Sequence, residues 1–131
     1  MTENTYTHRS LLDKLGVKAG ARVAVLGVED ESFLSSLATR ASDVSFGDLE
    51  PDSDAIFLNA NGPDDVRRLS ELRRYMKPNG AVWVVYRKAQ KEFNENAVLR
   101  LGLESGLVDV KVVRFSETHT ATKFVIRRSD R

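Results

Sequence analysis

At 131 residues the chain suits one domain, large enough to bury about two-thirds of its unfolded surface without a metal or a disulfide. It has no cysteine and only two histidines, His8 and His119, which excludes disulfides, thiol nucleophiles and thiolate metal sites and argues against a histidine-based zinc site. The net charge of +1 hides a division: residues 1–65 carry 5 Lys/Arg against 12 Asp/Glu, residues 66–131 carry 15 against 7, a pattern that fits an anionic ligand, nucleic acid, head-to-tail association or plain segregation of surface charge.

Residues 1–6 read as a flexible N-terminus and residues 7–131 as a single domain. M-T-E-N-T-Y-T lacks the basic and apolar regions of a secretory signal, and the longest apolar run falls far short of the ~20 residues that span a bilayer, so a soluble cytoplasmic protein is expected. From Thr7 a short helix runs through Leu11, Leu12 and Leu15 to Gly16, a residue able to close it in the left-handed conformation. Arg22 to Leu26 is a continuous apolar strand ended by Gly27. Asp30 then caps a helix whose Phe33, Leu34, Leu37 and Ala38 share a face.

Val44 to Phe46 is a short strand candidate. Ala55 to Leu58 is a clearer one, and the eight residues Gly47 to Asp54 between them are too few for a crossover helix. Either Val44–Phe46 is an edge strand with an extended return, which is the favoured reading, or it is not a strand. Asn61-Gly62-Pro63 opens the next helix, with Asp64 and Asp65 at its positive end and Arg73, Arg74 and Lys77 in its last turns. Val66, Leu69, Leu72 or Arg73, and Met76 form its stripe, and Pro78-Asn79-Gly80 ends it.

Ala81 to Tyr86 is apolar without alternation, as expected of a central strand covered on both faces. A polar loop, Arg87 to Lys91, leads to a helix from about Asn94 to Ser105, weakened by Gly102 and capped by Gly106. Val108 to Val112 alternates with period two, and Lys123 to Arg128 follows the segment Ser116 to Thr122, which together predict an antiparallel hairpin over residues 108–128.

Strand–helix alternation ending in a hairpin describes an α/β protein with a doubly wound, mostly parallel sheet. Leu15-Gly16-Val17-Lys18-Ala19-Gly20-Ala21-Arg22-Val23, Tyr75-Met76-Lys77-Pro78-Asn79-Gly80-Ala81-Val82-Trp83-Val84 and Glu104-Ser105-Gly106-Leu107-Val108-Asp109-Val110 resemble, in that order, the approach to the first strand, the passage into the fifth strand and the approach to the final hairpin of the S-adenosylmethionine-dependent methyltransferase fold. The resemblance implies a compact three-layer domain of about five or six strands. Residues 8–17 and 107–112, and more loosely 116–124, are similar to a family of small bacterial domains of unknown function with that fold, short of one strand–helix unit; His119 stands there in place of an aromatic. No activity comes with that likeness.

In the methyltransferase fold the loop after the first strand is glycine-rich so that backbone can approach the cofactor. Here it is Gly27-Val28-Glu29-Asp30-Glu31: Gly27 alone matches, Val25 replaces the motif's acidic residue, and Glu29 and Glu31 replace its later glycines. Asp48 is a candidate ribose-binding acid, weighed against a solvated loop carboxylate. Asn59 and Asn61 follow the third apolar strand, where open α/β sheets take ligands, although helix capping by Asn61 or Gly62 accounts for that stretch. Ser10 and Ser116 carry no nucleophile motif, and His119 reads as a turn histidine. Arg67, Arg68, Arg73, Arg74, Lys77, Arg87, Lys88 and Lys91 form a basic cluster better explained as a solvated face than as a nucleic-acid surface, since only Tyr75 and Tyr86 offer stacking.

The expectation is therefore a non-catalytic binding or regulatory module with no cofactor, whose partner is an anionic small molecule or a protein. A small enzyme and a nucleic-acid binder are the alternatives. An anionic ligand would sit near Gly27, Glu29, Asn59, Asn61, Arg87, Lys88 and His119, drawn by the positive C-terminal half.

Overall fold

The structure is a computed structural model and describes residues 10–131. The expected helix start at Thr7, the flexible N-terminus and His8 lie outside those residues. Six strands, β1 (Arg22–Leu26), β2 (Asp43–Phe46), β3 (Ser53–Asn59), β4 (Met76–Arg87), β5 (Leu107–Arg114) and β6 (His119–Ile126), form one sheet in the order β2-β1-β3-β4-β6-β5. β1 pairs in parallel with β2 and β3, and β3 with β4; β6 runs antiparallel between β4 and β5.

Helices cover both faces. On one, α1 (Leu11–Lys14) and α2 (Glu31–Arg40) set Leu12, Leu15, Phe33 and Leu37 against Val23, Val25, Phe57, Trp83 and Val85. On the other, α3 (Pro63–Arg67), α4 (Leu69–Leu72) and α5 (Glu95–Glu104) set Val66, Leu69, Leu72, Val98 and Leu101 against Ala24, Ile56, Leu58, Val82 and Val84. Alternate residues of each inner strand thus enter two different cores, which is why β1, β3 and β4 read as unbroken apolar runs. Trp83 is fully buried and its Nε1 donates to the Leu15 carbonyl at 3.1 Å, tying the end of α1 to the central strand.

β2 is an edge strand with an extended return, as favoured from sequence. Leu49, in that return, packs on the same core as Ala24 and Leu26, on a face that has no crossover helix at this point. Asp30 caps α2 by accepting from the Phe33 N–H at 2.9 Å, while Ala38, expected on the buried face, is exposed.

Three sequence readings are corrected. The helix expected to reach Lys77 stops sooner: α3 and α4 are separated at Arg68, a 3₁₀ turn covers Arg73–Tyr75, and Met76 already belongs to β4. Met76 pairs with Ser53 and Ala81 with Ala55, so Lys77-Pro78-Asn79-Gly80 bulges out of the strand. Gly80 is required there, since a Cβ would stand 2.9 Å from the Ser53 carbonyl oxygen. In the hairpin, β6 begins at His119 and ends at Ile126, earlier at both ends than expected, and the alternation of β5 is interrupted by a register shift between Asp109 and Lys111. Of the two residues offered for the cap of α3, Gly62 holds it, with no side-chain hydrogen bond, while the Asn61 N–H donates to Asp65 Oδ2 at 2.8 Å. Gly102 is more than a weak point, because a Cβ would run into the Phe124 ring.

Candidate functional site

The chain turns one way from β1 to β2 and the other way to β3, and the crevice left at the carboxyl ends of such strands is where open α/β sheets take ligands. A cavity of about 320 Å³ lies there, lined by Gly27 to Asp30 after β1, Asn59 and Asn61 after β3, Val85 and Arg87 at the end of β4, and Phe115, Ser116, Thr118 and His119 of the hairpin turn. An adjoining cleft shares Gly27, Glu29, Asn59 and Asn61 and adds Gly47, Asp65 and Arg68.

Each wall has a local cause. Gly27 turns the chain at φ +81°, a conformation that side chains disfavour. Val28 is buried, which leaves Glu29 exposed on the next residue, and the capping role of Asp30 holds its carboxylate at the α2 N-terminus. Asn59 donates from Nδ2 to Asn61 Oδ1 at 3.3 Å. The hairpin turn is pinned from inside by Phe115, whose ring lies 5.0 Å from that of Phe33. Ser116 Oγ accepts from the N–H groups of Thr118, at 3.3 Å, and His119, at 3.1 Å, so it is a turn-forming hydroxyl.

His119 pairs with Arg87 across the β4–β6 ladder and shares a 2.8 Å hydrogen bond with Thr118 through Nδ1. Burial, then the Arg87 charge, lower its pKa from the usual 6.5, against an opposing pull from Asp30. It is a half-buried wall residue rather than the exposed turn histidine of the sequence reading, and its lowered pKa favours the neutral imidazole.

Six of the seven residues expected near a ligand line this cavity: Gly27, Glu29, Asn59, Asn61, Arg87 and His119. Lys88 does not. Along an extended strand Val85 and Arg87 point to one face and Tyr86 and Lys88 to the other, and the Lys88 N–H is held by the Thr118 carbonyl at 3.0 Å. Asp48 lines neither the cavity nor the cleft beside it. Missed from sequence were Val28, Val85, Phe115 and Thr118, together with the place of Asp30 and Ser116 on the walls; His119 was placed at this end, and the polar run Ser116 to Thr120 around it was the available signal for its neighbours.

The basic cluster is scattered. Lys77 pairs with Asp54 at 2.8 Å at the amino end of β4, Arg67 pairs with Asp64 at 2.7 Å on α3, and Arg87 lies at the opposite end of β4 from Lys77. Ser10 caps α1 by accepting from the Asp13 N–H at 3.2 Å. Among the described residues no group of three or more His, Cys, Asp or Glu side chains could hold a metal ion, and no helix is long and apolar enough to cross a membrane.

No family model matches the chain, and no curated protein matches it. Among solved structures it is similar to a SAM-dependent methyltransferase from Aquifex aeolicus, at 17% identity and a TM-score of 0.70 over 89% of this chain and 88% of that one. It is also similar to the 1,6-didemethyltoxoflavin-N1-methyltransferase of Burkholderia thailandensis, at 13% identity and a TM-score of 0.59 over 89% and 75% of the two chains. A TehB-like SAM-dependent methyltransferase from Corynebacterium glutamicum matches at 13% identity and 0.57 over 89% and 85%. Strand order, the antiparallel β6 between β4 and β5, and these matches together give the chain the α/β fold of the SAM-dependent methyltransferases.

Proposed function

We propose that the chain is a non-catalytic binding or regulatory module on a methyltransferase-like sheet, taking a small molecule other than S-adenosylmethionine in the strand-end cavity. The loop between β1 and α2 carries this reading. Its one glycine is Gly27; the next side chain, Val28, is committed to the core, and Glu29 lines both the cavity and the adjoining cleft. Val25 is buried 2% exposed in the core where an acidic residue would be needed, and Asp48, the candidate ribose partner, stands off the cavity. These residues do not fit S-adenosylmethionine. A carboxylate about 4 Å from the cofactor's own would cost ~1 to 4 kcal/mol according to hydration, and the missing glycines remove the room for close backbone approach.

Ser116 Oγ is engaged by two backbone N–H groups. A second reading, a small enzyme, is favoured by one observation: Thr118 Oγ1 and His119 Nδ1 stand 2.8 Å apart on the cavity wall, a hydroxyl and an imidazole within hydrogen-bond reach, and the lowered pKa of His119 favours the neutral form that a general base needs.

Native mass spectrometry of freshly purified protein should find the chain alone or with a metabolite other than S-adenosylmethionine. Calorimetry with S-adenosylmethionine and S-adenosylhomocysteine should give no saturable heat below about millimolar concentration. A low-micromolar dissociation constant for either compound would overturn the proposal and favour a methyltransferase.

A further inference from the structure

We propose that the end of the molecule opposite the cavity is a docking surface for the phosphate backbone of a nucleic acid, carried by Arg73, Arg74, Arg127, Arg128 and Arg131. These residues lie in two groups far apart in sequence, and antiparallel pairing brings them to one end. β6 runs against β4, so its exit at Ile126 lies at the amino end of β4, where the 3₁₀ turn Arg73–Tyr75 stands. β5 enters at the same end, with Leu107 paired to Ile126. The turn at Gly106, just before it, seats Arg73: Nη1 lies 3.5 Å from the Gly106 carbonyl oxygen, and a Cβ on Gly106 would stand 2.7 Å from the same nitrogen. Arg127 follows Ile126 directly, and Arg131 Nε donates to the Ile126 carbonyl at 3.0 Å, folding the turn Arg128–Asp130 back against the strand end.

This cluster is not neutralised within the chain. Arg22, Arg40, Arg67, Lys77 and Arg100 each have a carboxylate within 4.0 Å, whereas among the described residues none of these five arginines does. Of the acids at this end, Asp54 is paired with Lys77 and Glu104 with Arg100; with Glu71, Asp109 and Asp130 counted against the arginines, positive charge remains in excess. Arg74, Arg127, Arg128 and Arg131 are exposed and Arg73 is half-buried. A guanidinium takes phosphate oxygens through two parallel hydrogen bonds. None of the five lines the strand-end cavity or the cleft beside it. They spread over an open end, which suits a row of anions better than a single one. The exposed large apolar side chains, Phe46, Leu103, Val110 and Val112, lie outside residues 73–79 and 127–131, so an acidic peptide would find no anchor there beyond its charges. A nucleic acid needs none, because every nucleotide brings a phosphate and the release of its counterions supplies the affinity. Tyr75 packs on the core, which leaves no exposed aromatic among the arginines and makes this a surface for backbone rather than bases.

The test is fluorescence anisotropy of the full chain with a labelled mixed-sequence DNA duplex of about 20 base pairs and a single-stranded RNA of the same length, from about 50 to about 200 mM salt. The duplex, the RNA or both should bind, the logarithm of the affinity falling against that of the salt concentration with a slope of about −2 to −4. Replacing two exposed side chains together, Arg127→Gln with Arg128→Gln, should make that slope shallower by about 2 and weaken binding about tenfold or more, whereas Lys91→Gln, on the loop at the opposite end of β4, should change the affinity less than about twofold. The tighter of the two probes identifies the backbone preferred. No binding of either at about 50 mM salt, or an affinity that the double substitution leaves unchanged, would overturn the proposal. Polyglutamate displacing the labelled probe as effectively as the unlabelled nucleic acid does would overturn it as well, and would assign the surface to acidic proteins.

Discussion

His119 carries the response of the site to pH. Burial and the neighbouring Arg87 disfavour the imidazolium, so its pKa in the fold lies below the unfolded value of 6.5. Between those two values the unfolded chain holds more protons than the folded one; this contribution to stability is complete above about 6.5 and is lost as pH falls through the folded value. Imidazole resonances should titrate with a midpoint below 6.5, and Arg87→Gln should raise that midpoint by removing a cation. A wild-type midpoint at or above 6.5 would contradict this. Asp54 has the same sign of pH dependence, because its pKa too is lowered in the fold. Burial pushes its pKa up, but hydrogen bonds from the Arg22 N–H and Lys77 Nζ, both 2.8 Å, and the charges of those residues bring it below 3.8. The stability it adds is present above the unfolded pKa and is lost as pH falls through the folded one. Lys77→Ala should therefore move acid unfolding to higher pH. Both partners are more than a third exposed, so the loss at neutral pH should stay within ~1 kcal/mol.

At the scale of elements, α5 and β6 meet where Gly102 faces the Phe124 ring. Gly102→Ala should destabilise the protein by ~1 to 3 kcal/mol despite the better helix propensity of alanine, because the ring has no space to yield within the core. Urea unfolding would measure it, and a stabilised variant would show that the helix slides freely over the sheet. The sequence marks Gly102 as a helix weakness, for propensity is local. What it cannot mark is the aromatic residue 22 positions later that occupies the missing side chain's place. The passage into β4 is a similar case. Pro78-Asn79-Gly80 has the composition of a helix stop and does interrupt regular structure, but the interruption lies within a strand, since pairing of Met76 with Ser53 extends the sheet past it.

At the scale of the whole molecule, Trp83 is the joint between the central strand and the first helix. Trp83→Phe would remove the Nε1–H that satisfies the Leu15 carbonyl and leave space in the core beneath α1. It should lower the urea midpoint by an amount equivalent to ~1 to 3 kcal/mol, with the slope unchanged if the fold survives. A midpoint within error of wild type would mean that α1 contributes little to the cooperative unit.

By itself the sequence determined the class of sheet. Residues 23–26, 55–58 and 81–86 are apolar at consecutive positions, as strands covered on both faces are, which calls for helices on either side of a mostly parallel sheet. Pairing order was another matter. Hydrophobic periodicity reports which face of an element is buried and says nothing of what buries it, so the insertion of β6 between β4 and β5 was decided by the tertiary structure. The same holds for the site. Gly27, Asn59 and Arg87 could be placed from sequence because each ends a strand of the sheet. His119 was placed with them as a residue of the hairpin turn at the same end, but that Phe115, Ser116 and Thr118 join Asp30 on the walls of one cavity followed only from the tertiary structure, in which Phe115 seats against Phe33 across some eighty residues of chain.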